Sequence, residues 1–310
     1  MITVFGSINV DMVMRVDALP RPGETVLCPD YLLVPGGKGA NQALAAARAG
    51  APVAMIGCVG RDAFADTAMS LLRREAIDLS AVGMSARPTC CASVWVDRAG
   101  ENAIVVASGA NLDTRASQMA ARKLGRGDWL MLQMEVPPDE NWRAASLARS
   151  AGARIMLSAA PAGPIPERVL HGIDVLLVNQ IEGRMVADAI GLDYGKPADI
   201  VSGLTKQFGF SCIMTLGAEG AICFGPAGGF QAPALPVSPI DTTGAGDAFA
   251  GILCASLDRG AGMEEAVRRA GAGAALACLT PGAQPGLPYA KDIDTAARDL
   301  PVSKPFGLVA

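Results

Sequence analysis

Short apolar runs rich in β-branched residues alternate along the chain with longer alanine-rich segments whose apolar positions recur at helical spacing. The short runs predict strands at Thr3–Ser7, Val53–Val59, Trp129–Met134, Arg154–Leu157, Val175–Val178, Cys212–Thr215 and Ala221–Phe224. The longer segments predict helices near Gly39–Ala49, Ala63–Glu75, Asn141–Ser150, Gln180–Ala187, Ala198–Phe208, Gly244–Ser256 and Met263–Leu279. Strand–helix alternation of this kind implies an α/β fold: a central, mostly parallel sheet with helices on both faces. Ligands of such sheets sit beyond the carboxyl ends of the strands, at helix N-termini.

Two stretches break the pattern. Residues 12–34 and 89–107 carry strand-like alternation with no helix between, punctuated by Pro20, Pro22, Gly23 and Gly100. Together they predict a small β-sheet lid laid over one α/β domain that spans residues 1–310.

Composition narrows the function classes. Of 310 residues, 51% are hydrophobic and 18% charged, which permits a large core and excludes general disorder. The net charge of -4, with no cluster of Lys and Arg, argues against a nucleic-acid binder. The eight cysteines form no CxxC pair, and most lie in apolar runs, as small buried hydrophobes of a reducing compartment do. A single histidine, His171, removes most His-based metal sites and nucleophile–His schemes. The N-terminus opens on a strand rather than a signal segment, and no run approaches the ~20 apolar residues of a membrane helix. A cytoplasmic protein is expected.

The strongest chemical signal is the run Asp241-Thr-Thr-Gly244-Ala245-Gly246-Asp247, placed between a β-like stretch (Gln231–Ile240) and the apolar helical segment that follows. Small residues let backbone amides crowd toward one point, and a helix start adds partial positive charge. Such a hole suits a phosphoryl group in flight. Asp247, in the first helical turn, can take the proton of an acceptor hydroxyl at the same point. Asp241, outside the helix, could serve a cation or shape the loop. A plain capped helix after a Gly-rich turn would explain a lone GxG, but not two carboxylates flanking the glycines. No Lys-Ser or Lys-Thr follows the glycines, so this is not a Walker A loop, and the Rossmann spacing also fails.

Two weaker signals accompany it. Gly36-Gly37-Lys38-Gly39-Ala40-Asn41 opens a helix and places Lys38 and Asn41 as donors beside flexible backbone, suited to the hydroxyls of a polyol. Asn9 and Asp11 alternate onto one side after the first strand, and a carboxamide plus a carboxylate binds vicinal hydroxyls.

Taken together, these elements closely resemble the ribokinase branch of the PfkB carbohydrate kinase family. The likeness runs from Gly6 to about Pro288 and adds Pro22-Gly-Glu-Thr25, Met131-Leu-Gln-Met-Glu135, Thr215-Leu-Gly217 and Gly282-Ala-Gln-Pro285 in order and approximate spacing. The resemblance implies a ribokinase-like fold and an ATP-dependent kinase acting on the primary 5-hydroxyl of ribose. Carried over position by position, Asn9, Asp11, Gly37, Lys38, Asn41 and Glu135 would contact the sugar, with Asp247 as base. Gly244, Ala245 and Gly246 would form the anion hole. Asn179, Glu182, Thr215 and Gly217 would serve the ATP phosphates and Mg²⁺. Asp241, Thr243, Ala277, Thr280, Gly282 and Gly286 would hold an activating K⁺. The two irregular β stretches would close over the sugar and form a homodimer contact.

The chain departs from that pattern in three places. Gln180 replaces an acid in the Asn179-to-Glu182 segment, Gly286 replaces a serine, and Gly271 replaces a larger polar residue near the implied adenine pocket. Other acceptors of the same family remain open: a nucleoside such as adenosine, fructose, deoxyribose or 2-keto-3-deoxygluconate. Lys38 with the Asn9/Asp11 pair favours a small furanose, and 5% aromatic content leaves few platforms for a nucleobase, Trp95 and Tyr31 being the candidates. A non-catalytic sugar-binding protein on the same fold would be expected to have lost Asp247 or the glycines. A dinucleotide-dependent dehydrogenase would need the fingerprint that is missing.

Overall fold

The structure is a computed structural model, and it describes residues 1–306. In chain order come β1 (Ile2–Phe5), β2 (Asn9–Arg15), β3 (Leu32–Gly36), α1 (Lys38–Arg48), β4 (Val53–Gly60), α2 (Ala63–Arg74), β5 (Asp78–Ser85), β6 (Cys90–Val96) and β7 (Asn102–Ala107). Two 3-10 turns then lead to β8 (Trp129–Leu132), α3 (Pro138–Ser150), β9 (Arg154–Ser158), α4 (Glu167–Leu170), β10 (Val175–Asn179), α5 (Gln180–Ala189), α6 (Pro197–Phe208) and β11 (Ser211–Thr215). The chain closes with β12 (Ala221–Gly225), β13 (Gly228–Ala232), α7 (Ala245–Asp258), α8 (Met263–Ala277), α9 (Ala290–Arg298) and β14 (Lys304–Phe306).

Ten strands form one sheet in the order β14-β13-β12-β11-β10-β9-β8-β1-β4-β5. From β11 through β5 every neighbouring pair is parallel, and the edge beyond β11 is antiparallel. All eight residues of β4 are buried, as a strand covered on both faces requires. Alternation along β8 divides the core: Trp129 and Met131 face the helices α1, α2, α7 and α8, while Leu130 and Leu132 face α3, α5 and α6. The central, mostly parallel sheet with helices on both faces is therefore present as expected.

Several elements differ from the sequence reading. The edge strands β5, β13 and β14 and the short helix α9 carry weak local signals and take their form from their neighbours. The stretch Gln231–Ile240 is extended only through Ala232, because Pro233, Pro236 and Pro239 cannot continue a ladder. The second sheet has the order β3-β2-β6-β7 and begins at Asn9, earlier than residue 12.

One packing contact decides the position of the site. Residues 247–257 of α7 are buried without a break, so this helix runs through the interior. Gly251 on α7 lies directly against α1: a Cβ there would stand 2.6 Å from the Ala45 Cβ and 2.8 Å from the Ala46 amide. The missing side chain lets the two helices approach closely enough for their first turns to share hydrogen bonds.

Candidate active site

The first turns of α1 and α7 meet over the carboxyl ends of β1 and β8. Gly244 starts α7 in the left-handed region at φ 78°, where a side chain is strained, and a Cβ there would stand 2.8 Å from that of Ala283. No side chain caps α7; the Ala245 amide donates to the Thr242 carbonyl at 3.2 Å, and the amides from Gly246 onward in the first turn have no side-chain partner. Asp247 sits in this turn and is only 7% exposed. Its Oδ2 accepts from the Asn41 Nδ2 at 2.9 Å and its Oδ1 from the Gln42 Nε2 at 2.9 Å.

A second carboxylate shares its neighbours Lys38 and Asp11. Glu135, just after β8, accepts through Oε2 from the Ser7 Oγ at 2.6 Å and from the Lys38 backbone amide at 3.0 Å. Asp247 first, and Glu135, Glu182 and Asp11 after it, surround the Lys38 ammonium and raise its pKa against the opposing effect of burial. Burial, then Glu135 and Asp247, push the Asp11 carboxyl up to about 7, with Lys38 pulling the other way. Asn9 is buried at the start of β2, packs against Gly37, and accepts through Oδ1 from the Asn111 Nδ2 at 2.7 Å. The six sugar-site positions read from the sequence thus cluster in one cleft with Asp247. Cys90 lies in the same cleft, but burial first, and Glu135 and Asp11 next, push its thiol up to about 12 and remove it as a nucleophile.

Asn179 and Thr215 are register partners at the ends of β10 and β11. Asn179 and Glu182 form a reciprocal cap on α5: the Asn179 amide donates to Glu182 Oε2 at 2.8 Å, and the Glu182 amide to Asn179 Oδ1 at 2.9 Å. Burial raises the Glu182 pKa, the Asn179 bond and Lys38 oppose, and Asp247 adds to the rise, so this acid also feels the cleft. Gly217 turns the chain after β11 at φ 61°. Neither Thr215 nor Gly217 is hydrogen-bonded to the Asp247 cluster.

The remaining group forms a separate loop. Asp241 accepts from the amides of Thr243 at 2.9 Å and Gly282 at 2.8 Å. Burial opposes, but these bonds win and hold its carboxyl below the usual carboxylate range. The carbonyls of Ala277 and Thr280 turn toward Gly286, where a Cβ would meet them at 2.7 and 3.3 Å.

A model of the pfkB family carbohydrate kinases matches residues 1–290. The chain belongs to that family. It is accordingly a sugar kinase, an enzyme of phosphoryl transfer. The chain is 34% identical to a ribokinase of Haemophilus influenzae over 93% of its own length and 95% of the relative's. Among solved structures, a ribokinase from Thermotoga maritima superposes with a TM-score of 0.89 at 28% identity, covering 96% of this chain and 99% of the other. An Arabidopsis thaliana ribokinase complexed with ribose and ATP gives a TM-score of 0.85 at 28% identity, covering 96% and 98%.

Sequence reasoning missed the residues behind the cleft: Ser7, Gln42, Asn111, Gln133 and Gln284. All five are buried and bond a candidate site residue or its partner. The available signal was a polar side chain inside an apolar element, as at Gln42 within the alanine-rich α1.

Proposed function

We propose that this kinase transfers the γ-phosphoryl group of ATP to the primary 5-hydroxyl of D-ribose, with Asp247 as the base. The observation that carries the reading is the single cleft in which Asp247 and the open first turn of α7 face Asn9, Asp11, Lys38, Asn41 and Glu135. The ribose-binding relative of the same fold supports the acceptor.

In the reaction, Asn9, Asp11 and Glu135 hold the ring hydroxyls and leave the hydroxymethyl group pointing at Asp247. Asp247 takes the hydroxyl proton as the sugar oxygen bonds to the γ-phosphorus. The bond from that phosphorus to the β-γ bridging oxygen breaks, and ADP leaves with the electron pair. The amides of Gly244, Ala245 and Gly246 and the Lys38 ammonium receive the charge on the transferring group. Asn179, Thr215 and Gly217 line the phosphate side.

Among the described residues no three His, Cys, Asp or Glu side chains converge on a metal position. That suits Mg²⁺, which keeps most of its shell from phosphate and water. Glu182 is the acid that would face it, and the ion would neutralise phosphate charge. The oxygens of Asp241, Ala277 and Thr280, with the loop through Thr243, Gly282 and Gly286, fit a hard monovalent cation such as K⁺, which would stiffen the loop before α7. The sheet β3-β2-β6-β7 is read as a lid that closes over the sugar and excludes water. Its exposed Leu32, Ile104, Val105 and Val106, with Leu27 and Tyr31 of the loop before β3, would form the homodimer contact. Eight free cysteines and the use of ATP support a cytoplasmic location.

A coupled assay of ADP release tests the acceptor. Ribose is expected to give the highest kcat/KM among ribose, deoxyribose, fructose, adenosine and 2-keto-3-deoxygluconate. Preference for any other member would overturn the assignment.

A further inference from the structure

The carboxylate of Asp247 is approached by two chains of side-chain amides, one for each oxygen. On one side the Gln284 Nε2 donates to Asn41 Oδ1 at 3.0 Å, and the Asn41 Nδ2 donates to Asp247 Oδ2 at 2.9 Å. On the other the Gln133 Nε2 donates to Gln42 Oε1 at 2.8 Å, and the Gln42 Nε2 donates to Asp247 Oδ1 at 2.9 Å. Gln42, Gln133 and Gln284 are all 0% exposed. The four amides come from three places far apart in sequence: α1, the turn after β8, and the loop before α9.

The direction of every amide follows from the carboxylate. Turning Asn41 or Gln42 over would set an oxygen against an oxygen of Asp247. Turning Gln284 or Gln133 over would set an oxygen against the oxygen of the amide it supports. Each chain therefore has one stable sense, with its donor end at the base, and aligned amide dipoles strengthen one another.

Each support is anchored independently of the amide it supplies. The backbone carbonyl of Gln284 accepts from the Arg48 guanidinium at 3.1 Å, as does that of Leu287 at 2.8 Å. Arg48 is in turn paired with Glu75 at 3.1 Å. The backbone carbonyl of Gln133 accepts from the Asn141 Nδ2 at 2.6 Å. Substituting either side chain leaves these anchors in place.

We infer that Gln42 and Gln284 are positioning residues for the base: through direct contact and through Asn41, they fix the Asp247 carboxylate in its plane. The inference rests on the reading of Asp247 as the base. The charged groups around Asp247 are Lys38 of α1, Asp11 of β2 and Glu182 of α5, and Glu135 after β8 in turn faces Lys38 and Asp11. Three of these four are acids, so like charges push on the Asp247 carboxylate and its amide donors hold it in place against them.

The experiment measures kcat and sugar KM for Gln42→Leu, Gln42→Glu and Gln284→Leu, beside Asp247→Asn. Gln42→Glu keeps the shape and the acceptor for Gln133 but replaces the donor with a second carboxyl oxygen beside Asp247. It therefore remains informative if Gln42→Leu fails to fold. A drop in kcat of about tenfold for the Gln42 variants is expected, with sugar KM within about twofold. Gln284→Leu should lower kcat by a smaller factor. In all three the loss should fall on kcat and leave sugar KM nearly unchanged. Unchanged kcat, or a loss expressed wholly in KM, would overturn the inference. If Asp247→Asn is inactive while the glutamine variants are normal, the positioning role fails and the base survives. If Asp247→Asn is active, the base reading itself has failed.

Discussion

Around Asp247 two helices approach so closely that only glycine fits at position 251, and every polar atom of the base is held by an amide with a fixed direction. The second sheet is built differently. Its outer strand β7 is mostly exposed, and Val105 has 63% of its surface open despite its apolar side chain. One region uses its packing to restrict a single carboxylate. The other pairs its strands fully but leaves an apolar outer surface uncovered. On the proposed reading, chemistry that needs a base set within fractions of an ångström belongs to the first region, and the entry and exit of substrate to the second.

Substitutions should separate the two regions by size of effect. Asp247→Asn keeps the shape but not the basicity, and kcat for sugar-dependent ADP formation should fall by roughly 10²-fold or more. Ser7→Ala releases Glu135 from one of its two donors. Sugar KM should rise by about fivefold with kcat little changed, as steady-state kinetics over ribose concentration would report. A loss in kcat alone would move Glu135 from the sugar side to the phosphoryl side.

The pH dependence of sugar binding gives a smaller signal. The Asp11 carboxyl is raised to about 7, so in the free enzyme it keeps its proton below that pH. Such a raised group lends stability that is complete below its unfolded value near 3.8 and lost as pH rises through about 7. The ionised form is the stronger acceptor for sugar hydroxyls. Ribose KM should therefore fall by roughly threefold as pH rises through 7, and Asp11→Asn should flatten the profile. The smallest kinetic effect is expected in the lid: Val105→Glu should leave kcat within about threefold while shifting the enzyme from dimer to monomer in light scattering.

The sequence made the parallel core legible because its strands are continuous apolar runs and its helices carry their own period. The loops at Gly36–Asn41 and Asp241–Asp247 were legible for a related reason, since small residues and carboxylates at close spacing speak for themselves. Edge strands such as β5 and β13 were not, because their form depends on a neighbour's ladder. Gln42, Gln133 and Gln284 were missed for a different reason. A glutamine that donates to a buried base reads in sequence like one in water, and only the meeting of α1, β8 and the loop before α9 reveals what it faces.

The reaction makes one sugar phosphate, and its identity is the most direct test. Phosphorus and carbon NMR of the reaction of ribose with ATP should show the phosphate on the primary 5-carbon, formed together with ADP. The same enzyme should not turn over 5-deoxyribose, which lacks the hydroxyl that faces Asp247. Phosphate on another carbon, or ADP release with 5-deoxyribose at a rate near that with ribose, would contradict the assignment of Asp247 to the acceptor hydroxyl.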